Sequence, residues 1–220
     1  MHDELTAFIA WLHGRLGDRV AIVLTADHGL QPIPEESLKL HVPAGRIDLE
    51  ELHARLERAL STTLGSPADK GGYVAFVDAP YLTLRRTPGV DPARTIRLAA
   101  QALIANEPGL YRVIRTADAG AEPLTYRHSI FPGRSGDLLL IPRPLFVLSP
   151  SSAGAKHGSP WNGDALVPLY VQAKGFELRP DLRGRVLGAT QVAPTLSAIL
   201  GIEPPAAAMD DPAVAPLPSP

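Results

Sequence analysis

Two adjacent residues, Asp27 and His28, carry the clearest chemical potential in the sequence, set in Thr25-Ala26-Asp27-His28-Gly29. A hard carboxylate oxygen beside a borderline imidazole nitrogen is a donor pair suited to zinc. They follow Ala21 to Leu24, a continuous apolar run rich in branched residues. Such a run predicts a strand buried on both faces of a parallel sheet. The carboxyl end of such a strand is where ligands bind in open α/β sheets. Neighbouring residues on a regular strand point to opposite faces, so the pair converges on one ion only if the backbone turns there. Gly29 tolerates positive φ and provides for that turn. The plainer alternative is an Asp that caps the next segment beside a solvent-exposed His. For these two residues alone, that alternative is the stronger reading.

Composition narrows the classes of function. The 220 residues are 45% hydrophobic and 20% charged, the balance of an ordinary globular protein with ample chain for a core. A net charge of −2 gives no electrostatic footprint for nucleic acid. No apolar run approaches the roughly 18 residues of a membrane span, so no membrane partner is expected. With no cysteine there is no disulfide frame, thiolate nucleophile or thiolate metal site. Met1-His2-Asp3-Glu4 is acidic, not the basic and then apolar start of a signal peptide, and localisation stays open. The 23 prolines are about twice the usual share of ~5%. The stretch from 204 to 220, rich in Pro and Ala, is expected to be a disordered tail.

The elements that must position the pair follow from periodicity. Leu5, Phe8, Ile9, Leu12 and Leu16 lie at helical spacing and predict an amphipathic helix packing on the sheet ahead of the Asp27 strand. Asp48 caps a second helix carrying Leu49, Leu52, Leu56 and Leu60 on one face. After a loop from Gly65 to Gly72, strand-like residues run to Arg86, broken by Pro80. Asp91-Pro92 starts a third helix. Short strands are expected at Tyr111 to Thr116, Asp137 to Ile141, Leu145 to Leu148 and Leu166 to Gln172, with a small-residue loop from Ser149 to Lys156. Thr190 is the expected cap of a last helix that Gly201 closes. Strands alternate with helices, so the class is α/β.

Three stretches taken in order resemble the alkaline phosphatase superfamily, and the agreement runs from about residue 3 to residue 205. Leu24-Thr25-Ala26-Asp27-His28-Gly29 is similar to its metal-binding Thr/Ser-x-Asp-His-Gly segment. Lys156-His157-Gly158-Ser159-Pro160-Trp161-Asn162-Gly163-Asp164, with Val167-Pro168-Leu169 after it, resembles the later His-Gly-Ser-Pro segment. Val192-Ala193-Pro194-Thr195-Leu196 resembles the closing helix. Arg134-Ser135-Gly136-Asp137 is similar to a segment of the phosphatase and phosphodiesterase branch.

The resemblance implies an α/β alkaline-phosphatase-like fold with a mostly parallel central sheet flanked by helices. Residues 1–203 are expected to form the C-terminal part of that domain, its N-terminal half missing, and 204–220 the tail. It implies two Zn2+ ions, or another divalent metal, with Asp27 and His28 on the ion that activates the nucleophile and His157 on the second. The substrate implied is a small-molecule phosphoester, cleaved through a covalent phospho-enzyme on a Thr or Ser. That nucleophile and the remaining ligands lie upstream in the family, so no catalytic residue is assigned here, and Thr25 belongs to the metal motif. The isolated chain is then expected to be inactive, and to associate with itself or with a missing N-terminal half. A leader on a full-length protein would place it in the periplasm or outside the cell. The alternatives are a sulfatase of the same superfamily and a catalytically incomplete partner domain. His2, His13, His41, His53 and His128 read as surface residues, Trp161 as packing, and Asp164 as a hydrogen-bonding support of the His157 loop.

Overall fold

The computed structural model describes residues 2–67, 71–149, 153–208 and 210–217. Positions 68–70 of the loop after Gly65, 150–152 of the loop before His157, and 209 and 218–220 of the tail lie outside the described residues. In chain order the elements begin with α1 (His2–Leu16), β1 (Ile22–Leu24), α2 (Pro34–Lys39), β2 (Gly45–Asp48) and α3 (Leu49–Leu64). They continue with β3 (Val74–Asp78), β4 (Tyr81–Leu84), α4 (Pro92–Asn106), β5 (Leu110–Arg115) and α5 (Leu124–Arg127). The last are β6 (Leu138–Pro142), β7 (Phe146–Ser149), α6 (Asn162–Ala165), β8 (Tyr170–Gln172), β9 (Phe176–Leu178), α7 (Val192–Leu200) and β10 (Val214–Pro216). The chain divides into two compact units, Met1–Asp27 with Val167–Pro220, and His28–Leu166. Among the described residues no helix is long and apolar enough to cross a membrane.

The unit from His28 to Leu166 is built on an antiparallel sheet of order β3-β4-β6-β5. β6 is interior and buried along its whole length, which is why Leu138 to Ile141 reads as an unbroken apolar run. Its side chains alternate between faces. Leu138 and Leu140 enter the main core with Leu52, Leu56 and Leu60 of α3 and Ala99 and Leu103 of α4. Leu139 and Ile141 join Ile114 in a second cluster, against which Tyr81, Tyr126, Ile130 and Trp161 pack. Both helices start where expected. The Asp48 carboxylate accepts the amides of Glu50 and Glu51, and Asp91 accepts those of Ala93 and Arg94, with Pro92 in the first turn.

In the other unit β1 pairs with β8, with Val23 opposite Val171, and β9 pairs with β10, with Ala215 opposite Glu177. The Thr195 hydroxyl of α7 accepts the Ala213 amide at 2.8 Å inside the unit. Gly201 takes the left-handed conformation that ends α7, with φ 66.

Several expectations need correction. The class is α/β, but among the described residues only β2 and β7 pair in parallel, and the remaining pairings are antiparallel. β1 is therefore not a central parallel strand: it is three residues long, pairs antiparallel, and leaves Leu24 exposed. An apolar run carries no information about partner direction, whereas the Ala79-Pro80 connection between β3 and β4 is too short for anything but a hairpin. The stretch expected to be a disordered tail carries β10, with Ala213 and Val214 buried. Thr190 does not cap α7; it lies in a 3-10 turn, Ala189–Gln191, that precedes the helix. The apolar face of α1 is only partly covered: Ile9 and Leu12 are half-buried, while Leu5, Phe8 and Leu16, with Trp11 beside them, remain exposed.

Candidate metal centre

His28 and Gly29 open the His28–Leu166 unit, and Lys156 to Asp164 lie near its end. The two segments are stitched together. The Gln31 amide donates to the Lys156 carbonyl at 2.9 Å, forming an isolated antiparallel bridge. The Gln31 side chain, 4% exposed, donates through Nε2 to Ser159 Oγ at 3.1 Å. The Gly29 amide donates to the Asp164 carbonyl at 2.7 Å.

Gly29 is required here for a reason other than the expected turn. Its φ is not positive. A β-carbon at this position would stand 2.0 Å from the Gly163 carbonyl oxygen, so only glycine allows the two backbones to approach. Gly158, directly after His157, does take a positive φ of 107 and turns that segment.

The result is an imidazole pair. The rings of His28 and His157 stack face to face, with centroids 3.6 Å apart and planes 12° from parallel. His28 is half-buried and His157 exposed. His28 Nδ1 lies 2.8 Å from the Gly29 carbonyl oxygen. A carbonyl only accepts, so this bond puts the proton on Nδ1. Asp27, the third expected ligand, is exposed in a bend after β1 and belongs to the other unit. Among the described residues no three His, Cys, Asp or Glu side chains gather as a metal-binding group.

Trp161 anchors the segment that follows His157. Trp161 packs on the Ile114, Leu139 and Ile141 cluster, meets Tyr111 edge to face at 5.3 Å, and donates Nε1–H to the Pro142 carbonyl. Trp161 is thus an anchor, as read from sequence. Asp164 Oδ2 accepts the Ser159 amide at 2.7 Å, which is the loop support expected of it. A cavity of about 30 Å³ beneath is lined by Gln31, His157, Ser159 and Asp164 among others. Upstream of Lys156, Arg46 donates to the Gly154 carbonyl and, through Nε and Nη2, to the Glu35 carboxylate. Those bonds from Arg46 hold the Glu35 carboxyl at about 2, against an ordinary 4.5. The Arg134-Ser135-Gly136-Asp137 segment is occupied with structure: Asp137 accepts the Leu84 amide and pairs with Arg86, whose own pKa that bond raises. Sequence reasoning missed Gln31, because a lone Gln between Leu30 and Pro32 carries no signal until its bridge to Lys156 is seen.

The chain matches no protein-family model. It is 29% identical over 224 residues to alkaline phosphatase PhoK of Sphingomonas sp, across 93% of this chain and 39% of that protein. It is 28% identical over 227 residues to alkaline phosphatase PhoD of Zymomonas mobilis subsp. mobilis, across 92% of this chain and 37% of that protein. Over most of its length the chain is thus similar to proteins named alkaline phosphatases. Its fold also matches the crystal structure of wild-type alkaline phosphatase PafA, with TM-score 0.79 at 20% identity over 96% of this chain and 41% of that one. A mutant PafA structure gives 0.75 at 21% identity. The chain spans about two fifths of the length of the curated relatives it matches.

Proposed function

We propose that the chain supplies part of the metal centre of a phosphoester hydrolase. His28 serves one metal ion and His157 a second, with Asp27 assigned to the first by its place in the motif. The observation that carries this reading is the stacked pair. An imidazole lone pair lies in the plane of its ring, so two rings stacked face to face cannot both aim squarely at one ion. They offer two separate points of attachment instead. Their 3.6 Å separation suits the metal spacing of about 3.5–4 Å found in two-metal phosphatase sites. The Nδ1–H bond to the Gly29 carbonyl gives His28 the tautomer a metal requires. Two zinc ions held there would polarise the phosphoryl oxygens and lower the pKa of the attacking group.

This chain's own part is to hold and orient. Gly29, Gln31 and the 156–164 segment hold the backbone beside the two rings before any ligand arrives, which lowers the ordering cost of binding. The relatives named as alkaline phosphatases support phosphoester over sulfate ester as the substrate class. The covalent intermediate of this reading is a phosphorylated Thr or Ser. Neither residue type is assigned that role in this chain.

Zinc titration of the chain by calorimetry tests the reading. Catalytic zinc sites use three protein ligands and a water, so the chain, short of that number on each ion, is expected to bind zinc more weakly than a complete site. Binding is expected to drop in both His28→Ala and His157→Ala. The chain alone is expected to hydrolyse p-nitrophenyl phosphate no faster than a zinc-only control. Zinc binding indifferent to both substitutions would overturn the proposal.

A further inference from the structure

One residue touches the neighbourhood of both rings. Asp164 is 4% exposed. Its Oδ2 accepts the amide of Ser159, two positions past His157, at 2.7 Å, and its backbone carbonyl accepts the amide of Gly29, directly after His28, also at 2.7 Å. Asp164 is itself held: its amide and that of Ala165 both donate to the Trp161 carbonyl, and Trp161 is anchored on the sheet through Pro142. Asp164 Oδ1 is buried and has no hydrogen-bond partner among the described residues. A buried polar oxygen without a partner is costly. A residue that merely filled this space would be better apolar, so the carboxylate is retained for the bond its other oxygen makes.

We propose that Asp164 is the positioning residue of the His28–His157 pair, fixing His157 through the Ser159 amide and His28 through the Gly29 amide. The path runs from β6 through Trp161 to Asp164, and from there to each histidine by one hydrogen bond and one or two residues of backbone. Gln31 reinforces it by donating to Ser159 Oγ. The positioning claim concerns the metal-free chain. Only its consequence for zinc rests on the function proposed above.

Stacked imidazoles shift one another's ring protons, so NMR of the metal-free chain reads the pair directly, with assignments from His28→Gln and His157→Gln. Asp164→Ala is expected to keep its far-UV spectrum, lose the mutual ring shift, and bind zinc about 10–100-fold more weakly, the usual loss when a partner behind the ligands is removed. Asp164→Asn keeps an acceptor for the Ser159 amide and is expected to retain the ring shift. A folded Asp164→Ala chain with the ring shift unchanged overturns the proposal, and so does a folded Asp164→Asn chain that loses it. If Asp164→Ala does not fold, Asp164→Ser stands in, since its shorter hydroxyl does not reach the Ser159 amide. If neither folds, amide exchange in the native chain decides: the Ser159 amide is expected to be strongly protected, and rapid exchange there overturns the proposal. A native chain that binds no zinc, with ring shifts responding as expected, sinks the metal reading and leaves the positioning role standing.

Discussion

Gly29 passes Gly163 so closely that a β-carbon on Gly29 would stand 2.0 Å from the Gly163 carbonyl oxygen. The obstacle is backbone on both sides, so neither partner can swing aside. Gly29→Ala is therefore expected to destabilise the His28–Leu166 unit by at least the ~1–3 kcal/mol typical of overpacking. In a chain of this size that lowers Tm by about 2–4 °C per kcal/mol. Gly163→Ala meets the Gln31 side-chain amide at 3.1 Å, a looser approach than the 2.0 Å at Gly29, and should cost less. Thermal melts of the two variants check this, and the reverse ranking would refute the close approach.

The Glu35–Arg46 contact makes a prediction about acid. Hydrogen bonding to Arg46 is the main cause that depresses the Glu35 carboxyl to about 2. A carboxyl depressed by folding adds stability that is fully present above its ordinary value of 4.5. That contribution fades as pH falls toward 2. Carbon-detected NMR titration should show Glu35 ionised at pH 3.5. Glu35→Gln should flatten that part of the acid limb of stability. An ordinary carboxylate midpoint for Glu35 would contradict the geometry.

The exposed part of the α1 face makes a prediction about association. Leu5, Phe8, Trp11 and Leu16 are exposed, with the Phe8 and Trp11 rings stacked at 6.2 Å. Contiguous apolar surface of this kind marks contact sites or aggregation liabilities. Light scattering of the 220-residue chain is expected to show self-association that rises with concentration. Phe8→Glu with Trp11→Glu should relieve it. A monodisperse native monomer would show that the face needs no cover.

The parts of the fold legible in sequence are those decided by local chemistry. Asp48 and Asp91 announce α3 and α4 because a cap acts within three residues of itself. Leu138 to Ile141 announces β6 because burial on both faces leaves an unbroken apolar run. Strand direction was not legible, since β1 and β8 carry no mark of the way they pair. The resemblance to the superfamily implies that His28 and His157 lie at one site, and their rings stack. The reason for Gly29 was not, because a close approach to Gly163 depends on where a distant segment passes. Gln31 was invisible for the same reason: its partner Ser159 is 128 positions away.

The bonds from Gly29 to Asp164 and from Gln31 to Lys156 join residues near the first and last positions of the His28–Leu166 unit. Contacts of such long sequence separation carry the largest loop-closure entropy and are made only once the intervening chain has collapsed around them. The two histidines are therefore expected to meet late in folding. Nascent or partly folded chains, which lack the pair, would present single imidazoles with little hold on a metal. On the function proposed above, ion capture would in this way be deferred to molecules whose sheet and helices are already in place.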